Sequence, residues 1–194
     1  MLENALINIR GREDEFSKLD AIIGDGDHGQ AIVTAMSAIV ETARKGTEFK
    51  SMLNDIGFDV MFQVSGSTST LLGAFFLGMS DCVSGTELNA EGVKKMFEGG
   101  LANVQKQTQD KPGDKTMMDV LVPAVEAIKF SASDDVYEIL NAGAKAAVKG
   151  AEATVQMKAN FGRARNYGER SVGYADSGGT SWSCMFQSFA EALK

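Results

Sequence analysis

Runs of Ala, Leu, Met, Glu and Lys, broken by glycine and hardly ever by proline, constrain this chain more than any other feature of its sequence. Only two prolines occur in 194 residues, Pro112 and Pro123, so long helical stretches go uninterrupted. Alternating Val/Ile/Thr stretches of the kind that half-bury a strand are scarce. Apolar residues instead recur at helical spacing, which predicts helices over roughly residues 2–17, 29–45, 50–64, 68–82, 90–106, 116–131, 134–149, 150–159 and 179–193. Short connections make sequential helices antiparallel neighbours. The expected fold is all-α, an antiparallel up-and-down bundle or closed barrel of about eight helices, with residues 1–194 forming a single domain.

Composition narrows the function classes. Hydrophobic residues are 44% and charged residues 23%, which suits a soluble globular chain and excludes a disordered one. The longest apolar run, LLGAFFLGM, falls well short of the ~20 residues of a transmembrane helix, so no membrane span is expected. Nineteen basic against twenty-six acidic residues give a formal charge of −7, which argues against a nucleic-acid binder that works by neutralising phosphates. A phosphate ligand would need local help, from metal ions or main-chain N–H groups. Cys82 and Cys184 lie far apart and no signal peptide precedes them, so free thiols and a reducing cytoplasm are expected.

The irregular segments 19–28, 107–115 and 160–178 are rich in Gly, Asp or Arg where the helices are not, and loops on a rigid scaffold are where chemistry is sought. In LDAIIGDGDHGQAIVTAM, Asp20, Asp25 and Asp27 stand at i, i+5 and i+7, and the glycines let the backbone curl them together. Carboxylates crowded this way repel unless a hard cation neutralises them, and an all-oxygen set suits Mg²⁺ completed by phosphate oxygens. His28, the chain's only histidine, and Gly29 fall where the loop enters the next helix, a favourable place for an anion. Spacing by itself leaves two readings open: a metal-phosphate site, or a solvated loop in which Asp25 and Asp27 cap the helix and His28 is incidental.

Three further stretches bear on the choice. VSGSTSTLLGAFF (64–76) offers Ser67 and Thr68 at a helix start, as phosphate donors or as ordinary caps. PGDKTMMDVLVPAVEAI (112–128) places Asp114 or Thr116 where a cap would be, with Met117 read as core. FGRARNYGERSVGYADSGGTSWSC (161–184) sets Arg163, Arg165 and Arg170 among glycines, with Asp176 before a Gly-Gly-Thr-Ser helix start. Arginine's planar donors suit phosphate; surface salt bridges would explain the arginines but not the glycine spacing.

Taken together and in this order, these stretches resemble the family of nucleotide-binding L subunits of bacterial dihydroxyacetone kinases, equivalent to the C-terminal domain of the single-chain kinases. LDAIIGDGDHG looks like the family's metal loop, PGDKTMMDVLVPAVEA like its central motif and GRARNYGERSVGYADSGGTS like its closing loop, over about residue 16 to the C-terminus. The resemblance implies an eight-helix antiparallel barrel with ADP or ATP at one end and two Mg²⁺ ions held by Asp20, Asp25 and Asp27. It implies nucleotide contacts at His28, Gly29, Met117, Arg163, Asp176 and Gly178, to which the helix start at Ser67 and Thr68 adds a phosphate cradle. The three aspartates and Arg163 would carry the catalysis.

The acceptor ketose would sit on a separate K subunit, bound through a histidine there, so one histidine in this chain is no obstacle. Recharging by a phosphohistidine protein of the phosphotransferase system is the implied route, in glycerol metabolism and in the cytoplasm, by a monomer or homodimer. A free-ATP kinase of another short ketose such as a tetrulose, and a nucleotide-bearing signalling module that binds a transcription regulator, are the alternatives. Three departures predict that nucleotide handling differs in detail. Ala31 replaces the family's asparagine, Ser65–Thr70 replaces Gly-Gly-Ala-Ser-Gly-Pro, and Asp176-Ser177-Gly178-Gly179 replaces Asp-Pro-Gly-Ala.

Overall fold

Four helices begin where a polar side chain turns back onto main-chain N–H groups. The computed structural model describes all residues except Ser65, residues 85–87 and the side chain of Gln63. It contains helices α1 (Leu2–Gly11), α2 (Glu13–Ile23), α3 (His28–Ala43), α4 (Phe49–Gln63), α5 (Ser67–Asp81), α6 (Ala90–Val104), α7 (Met118–Lys129), α8 (Val136–Ala153) and α9 (Ser177–Glu191), with 3₁₀ turns at Thr154–Gln156 and Arg163–Ser171. Glu48 caps α4 through Lys50 and Ser51, Asn89 caps α6 through Gly92, Asp135 caps α8 through Tyr137 and Glu138, and Asp176 caps α9 through Gly179.

The structure corrects several of the predicted elements. The helix expected over 2–17 is two helices broken at Arg12, whose φ of −116° and ψ of 13° leave the helical region. Glu13, Asp14 and Glu15 then provide a fresh acidic first turn that complements a helix start, and Arg12 pairs with Glu15 at 2.8 Å. Because α2 runs on to Ile23, Asp20 stands on a helix and not in a loop. No separate helix covers 150–159. Instead α8 continues through Gly150 to Ala153, since that glycine is needed for close packing: a Cβ there would collide with the carbonyl of Asp119 on α7. The segment 160–178 is also less irregular than expected, holding 3₁₀ turns joined across a kink at Gly168.

From α2 onward the helices pack mainly on their sequence neighbours, α4 on α5, α5 on α6, α7 on α8 and α8 on α9, while α1 lies against α3 and α9, and α9 also returns to α2 and closes the cycle. Neighbours run antiparallel. Asn103 on α6 donates to the carbonyl of Ala74 at 2.8 Å, while Gly78, one turn later on α5, abuts Gly99, one turn earlier on α6, too closely for any side chain. In the interior, Phe75 meets Phe76, Phe97 and Trp182 edge-on with ring centroids 6.0, 5.9 and 5.4 Å apart. Each fully buried aromatic of this kind stabilises the fold by about 1.5–3 kcal/mol. Among the described residues, no helix is long and apolar enough to cross a membrane.

The cycle has two ends. At one, the starts of α4, α6 and α8 surround an apolar cavity of about 560 Å³ whose lining includes Phe49, Met52, Met96, Val136 and Leu140. The other gathers the starts of α3, α5, α7 and α9 with the end of α2, the helix termini that carry the glycine-rich segments.

Candidate functional site

Asp20 projects from the last turn of α2. Gly24 ends that helix, and a Cβ there would stand 2.5 Å from Asp20 Oδ1, so glycine clears space for the carboxylate. Gly26 adopts φ +80°, a conformation that side-chain-bearing residues avoid, and its N–H donates to Asp20 Oδ2 at 2.8 Å. That turn returns Asp25 and Asp27 to Asp20, and oxygens of all three carboxylates lie within 4.8 Å of one another. Asp27 occupies the N-cap position of α3 without capping it. The capped-loop alternative is therefore not how the chain uses Asp27, whose carboxylate stays available. An oxygen-only cluster this crowded fits a hard divalent cation such as Mg²⁺.

Neighbouring elements close on the cluster. The guanidinium of Arg163, from the 3₁₀ segment before α9, pairs with Asp25. Ser177, the first residue of α9, donates its hydroxyl to Asp20 Oδ1 at 3.2 Å. His28 is 9% exposed, and its Nε2 lies 2.8 Å from the Ser181 hydroxyl. That hydroxyl donates to the carbonyl of Gly178 at 2.9 Å, so the imidazole carries its hydrogen on Nε2 and leaves Nδ1 to accept from Thr68 at 3.4 Å. Burial lowers the histidine's pKa against the opposing pull of Asp20 and Asp27, which keeps the ring neutral at pH 7. One residue thus ties together the starts of α3, α5 and α9.

The starts of α3 and α5 share a property. Among the described residues, neither receives a hydrogen bond from a capping side chain; Gly66, at the α5 cap position with φ +115°, has none to offer. Their first-turn N–H groups therefore face the aspartate end unclaimed by caps. Ser67 is exposed there and Thr68 half-buried, while Ser65 lies outside the described residues.

Burial pushes the Asp176 carboxyl up to about 7, opposed by the Gly179 N–H it accepts and by the Lys115 ammonium, and reinforced by Asp119 and Asp20. A Cβ on Gly178 would stand 3.2 Å from Asp176 Oδ2 and 3.7 Å from the buried Met117, which places these three side by side. Gly29 has a packing role that the sequence did not announce: a Cβ there would collide with the Glu13 carbonyl and the Ser17 hydroxyl of α2. In the central motif, the Asp119 carboxylate accepts from Gly113 at 2.5 Å and Thr116 at 2.8 Å, while Thr116 accepts from Met118 at 3.1 Å. Ser177 and Ser181 were also missed as site residues, although both stand in the quoted closing segment; hydroxyls at a helix start were the available signal.

Comparison with known proteins finds relatives over nearly the whole chain. The family model described as the DAK2 domain matches residues 22–191. The ADP-binding subunit DhaL of the PEP-dependent dihydroxyacetone kinase of Escherichia coli (strain K12) is 35% identical over 193 residues, which covers 96% of this chain and 92% of that protein. The corresponding subunit of dihydroxyacetone kinase 1 of Listeria innocua is 34% identical, covering 90% of this chain and 85% of that one. D-erythrulose kinase of Mycolicibacterium smegmatis is 31% identical, but this chain spans only 32% of its length. Among solved structures, the dihydroxyacetone kinase from C. freundii in complex with AMP-PNP and Mg²⁺ superposes with a TM-score of 0.74 at 23% identity, over 98% of this chain and 33% of that one.

Proposed function

We propose a function for a chain that belongs to the DAK2 domain family: it is the phosphoryl-transfer subunit of a dihydroxyacetone kinase, passing the γ-phosphate of a bound nucleotide to a ketose held on a partner K subunit. The observation that carries this reading is the aspartate triad, with carboxylate oxygens within 4.8 Å of one another, facing two helix starts left without side-chain caps. The cyclic, antiparallel packing order supports an up-and-down barrel with the nucleotide at the aspartate end.

Phosphoryl transfer demands positioning and charge stabilisation and asks for little covalent chemistry from the protein. Asp20, Asp25 and Asp27 would hold two Mg²⁺ ions, whose positive charge would stabilise the negative charge of the transferring phosphoryl group. The free N–H groups of α3 and α5 and the hydroxyls of Ser67 and Thr68 receive phosphate oxygens. Arg163, which pairs with Asp25, is poised to move its charge onto the transferring group. His28 orients the hydroxyls of Thr68 and Ser181 as a neutral ring, and Gly29 sets α3 against α2 so that this ring reaches them. Met117, Asp176 and Gly178 border the nucleotide. The acceptor hydroxyl belongs to the partner, so no nucleophile is required here.

A phosphohistidine protein of the phosphotransferase system is the donor this reading favours. The relatives named as PEP-dependent or PTS-dependent subunits are spanned by this chain over 85% of their length or more, whereas the erythrulose kinases are spanned over about a third. Calorimetry provides the test. Asp25→Ala is expected to abolish Mg²⁺-dependent ADP binding, and wild-type affinity in that variant would overturn the assignment. ADP that co-purifies and resists dialysis is expected for recharging in place, and freely exchanging ATP would point to the other donor.

A further inference from the structure

Lys115 is among the largest fully buried side chains, at 1% exposure, although lysine is almost never so enclosed unless paired. Its backbone adopts φ +61°, the one positive φ outside glycine among the described residues, in a region that disfavours a residue with a Cβ. The Asp119 carboxylate holds that turn by accepting from Gly113 and Thr116 on either side of it. So placed, the ammonium donates to two main-chain carbonyls at 2.5 Å each: Thr154, in the turn after α8, and Tyr174, just before α9.

These two carbonyls bracket the segment that delivers the arginines and the start of α9 to the site. Further bonds stitch the same three stretches together. The Asp176 N–H donates to the Thr154 hydroxyl at 2.9 Å, the Gly173 N–H to the Val155 carbonyl at 2.8 Å and the Asn160 N–H to the Asp114 carbonyl at 3.1 Å. Within the bracket the chain is mostly exposed and bears Arg163, Arg165 and Arg170. Holding both ends of an excursion shortens the loop that remains free to move. A compact ammonium with three donors can serve two carbonyls from different stretches at once, whereas an apolar side chain of similar length would leave the Thr154 carbonyl with only the Met157 N–H and take from the Tyr174 carbonyl its tie to the rest of the fold.

We propose that Lys115 is a positioning residue of the phosphoryl-transfer site: by tying Thr154 to Tyr174 it clamps both ends of the closing segment, and so keeps Arg163 and the start of α9 against the aspartate cluster. It acts through Arg163 and Asp176. The proposal rests on the nucleotide-site reading above and adds to it a residue from outside the aspartate cluster.

Lys115→Met in the full chain tests it. Trypsin cleavage at Arg163, Arg165 and Arg170, followed by mass spectrometry, is expected to quicken at least tenfold. ADP affinity at saturating Mg²⁺ should fall at least tenfold, while Mn²⁺ bound without nucleotide, counted by electron paramagnetic resonance, stays at the wild-type level because the three aspartates are carried by the α2–α3 turn. Loss of Mn²⁺ binding together with ADP binding would mean a general structural role and overturn the proposal, as would wild-type cleavage with wild-type ADP affinity. If the wild-type protein itself fails to bind ADP, the nucleotide reading falls and the cleavage rates still decide the clamp. Should Lys115→Met not fold, Lys115→Gln, which keeps N–H donors but no charge, takes its place. Intermediate losses are then expected, and wild-type behaviour overturns the proposal.

Discussion

The two ends of the molecule treat several of their helix starts in opposite ways, although α9, at the aspartate end, is capped by Asp176. Where α4, α6 and α8 begin, Glu48, Asn89 and Asp135 spend their side chains on first-turn N–H groups, and the space between the helices is apolar. Where α3 and α5 begin, the cap positions hold an aspartate that does not cap and a glycine that cannot, and three carboxylates crowd together. The first end is finished by its own sequence. At the second, donors without side-chain caps and mutually repelling charge are what the proposed nucleotide and metal would satisfy.

This contrast predicts a trade between stability and binding that reverses from end to end. The largest effect is expected for Asp27→Asn, which relieves repulsion and offers α3 a neutral cap. Its ADP affinity at saturating Mg²⁺ should fall at least ~100-fold, about 2.8 kcal/mol, while its metal-free melting temperature rises; a melting temperature that falls would break the contrast. Gly29→Ala comes next, since its methyl group must displace α2 backbone, at a cost of about 1–3 kcal/mol read by urea denaturation. A cost near zero would show that the close approach is not required.

Asp176 gives a smaller effect with a definite sign. Its carboxyl is pushed up in the folded chain, so between about pH 4 and pH 7 the folded state binds more protons than the unfolded one and stability falls as pH rises. Asp176→Asn should remove that downward slope in chemical denaturation without metal or nucleotide; a slope equal to wild type would place the titration elsewhere. The smallest effect belongs to the opposite end. Asp135→Ala should cost about 1 kcal/mol of stability through the lost cap and leave ADP affinity at the wild-type value. A shift in affinity would mean that the two ends are coupled.

Features that depend on near neighbours in the chain were legible before the fold was. The start of α4 follows Glu48 and that of α6 follows Asn89, and both helices fall within a residue or two of the periodicity. The aspartate turn was equally visible, because Gly24 and Gly26 announce the curl that brings Asp20 to Asp25 and Asp27. What escaped depends on partners distant in sequence. Gly150 looks like a helix boundary until α7 is set against it, the close packing of Gly29 shows only once α2 lies beside it, and nothing local to Lys115 announces Thr154 and Tyr174 as its partners. Arg12 is the exception, a local break that the helix-forming residues on both sides of it conceal.

The placement of His28 has a practical consequence. The chain has one histidine, and it sits at the meeting of three helix starts with its tautomer held by a serine hydroxyl. In a proton NMR spectrum its ring signals would have no others of their kind beside them. Nucleotide arrival, metal exchange or a loosened closing segment could each be followed through that one resonance, with no label added and no residue changed.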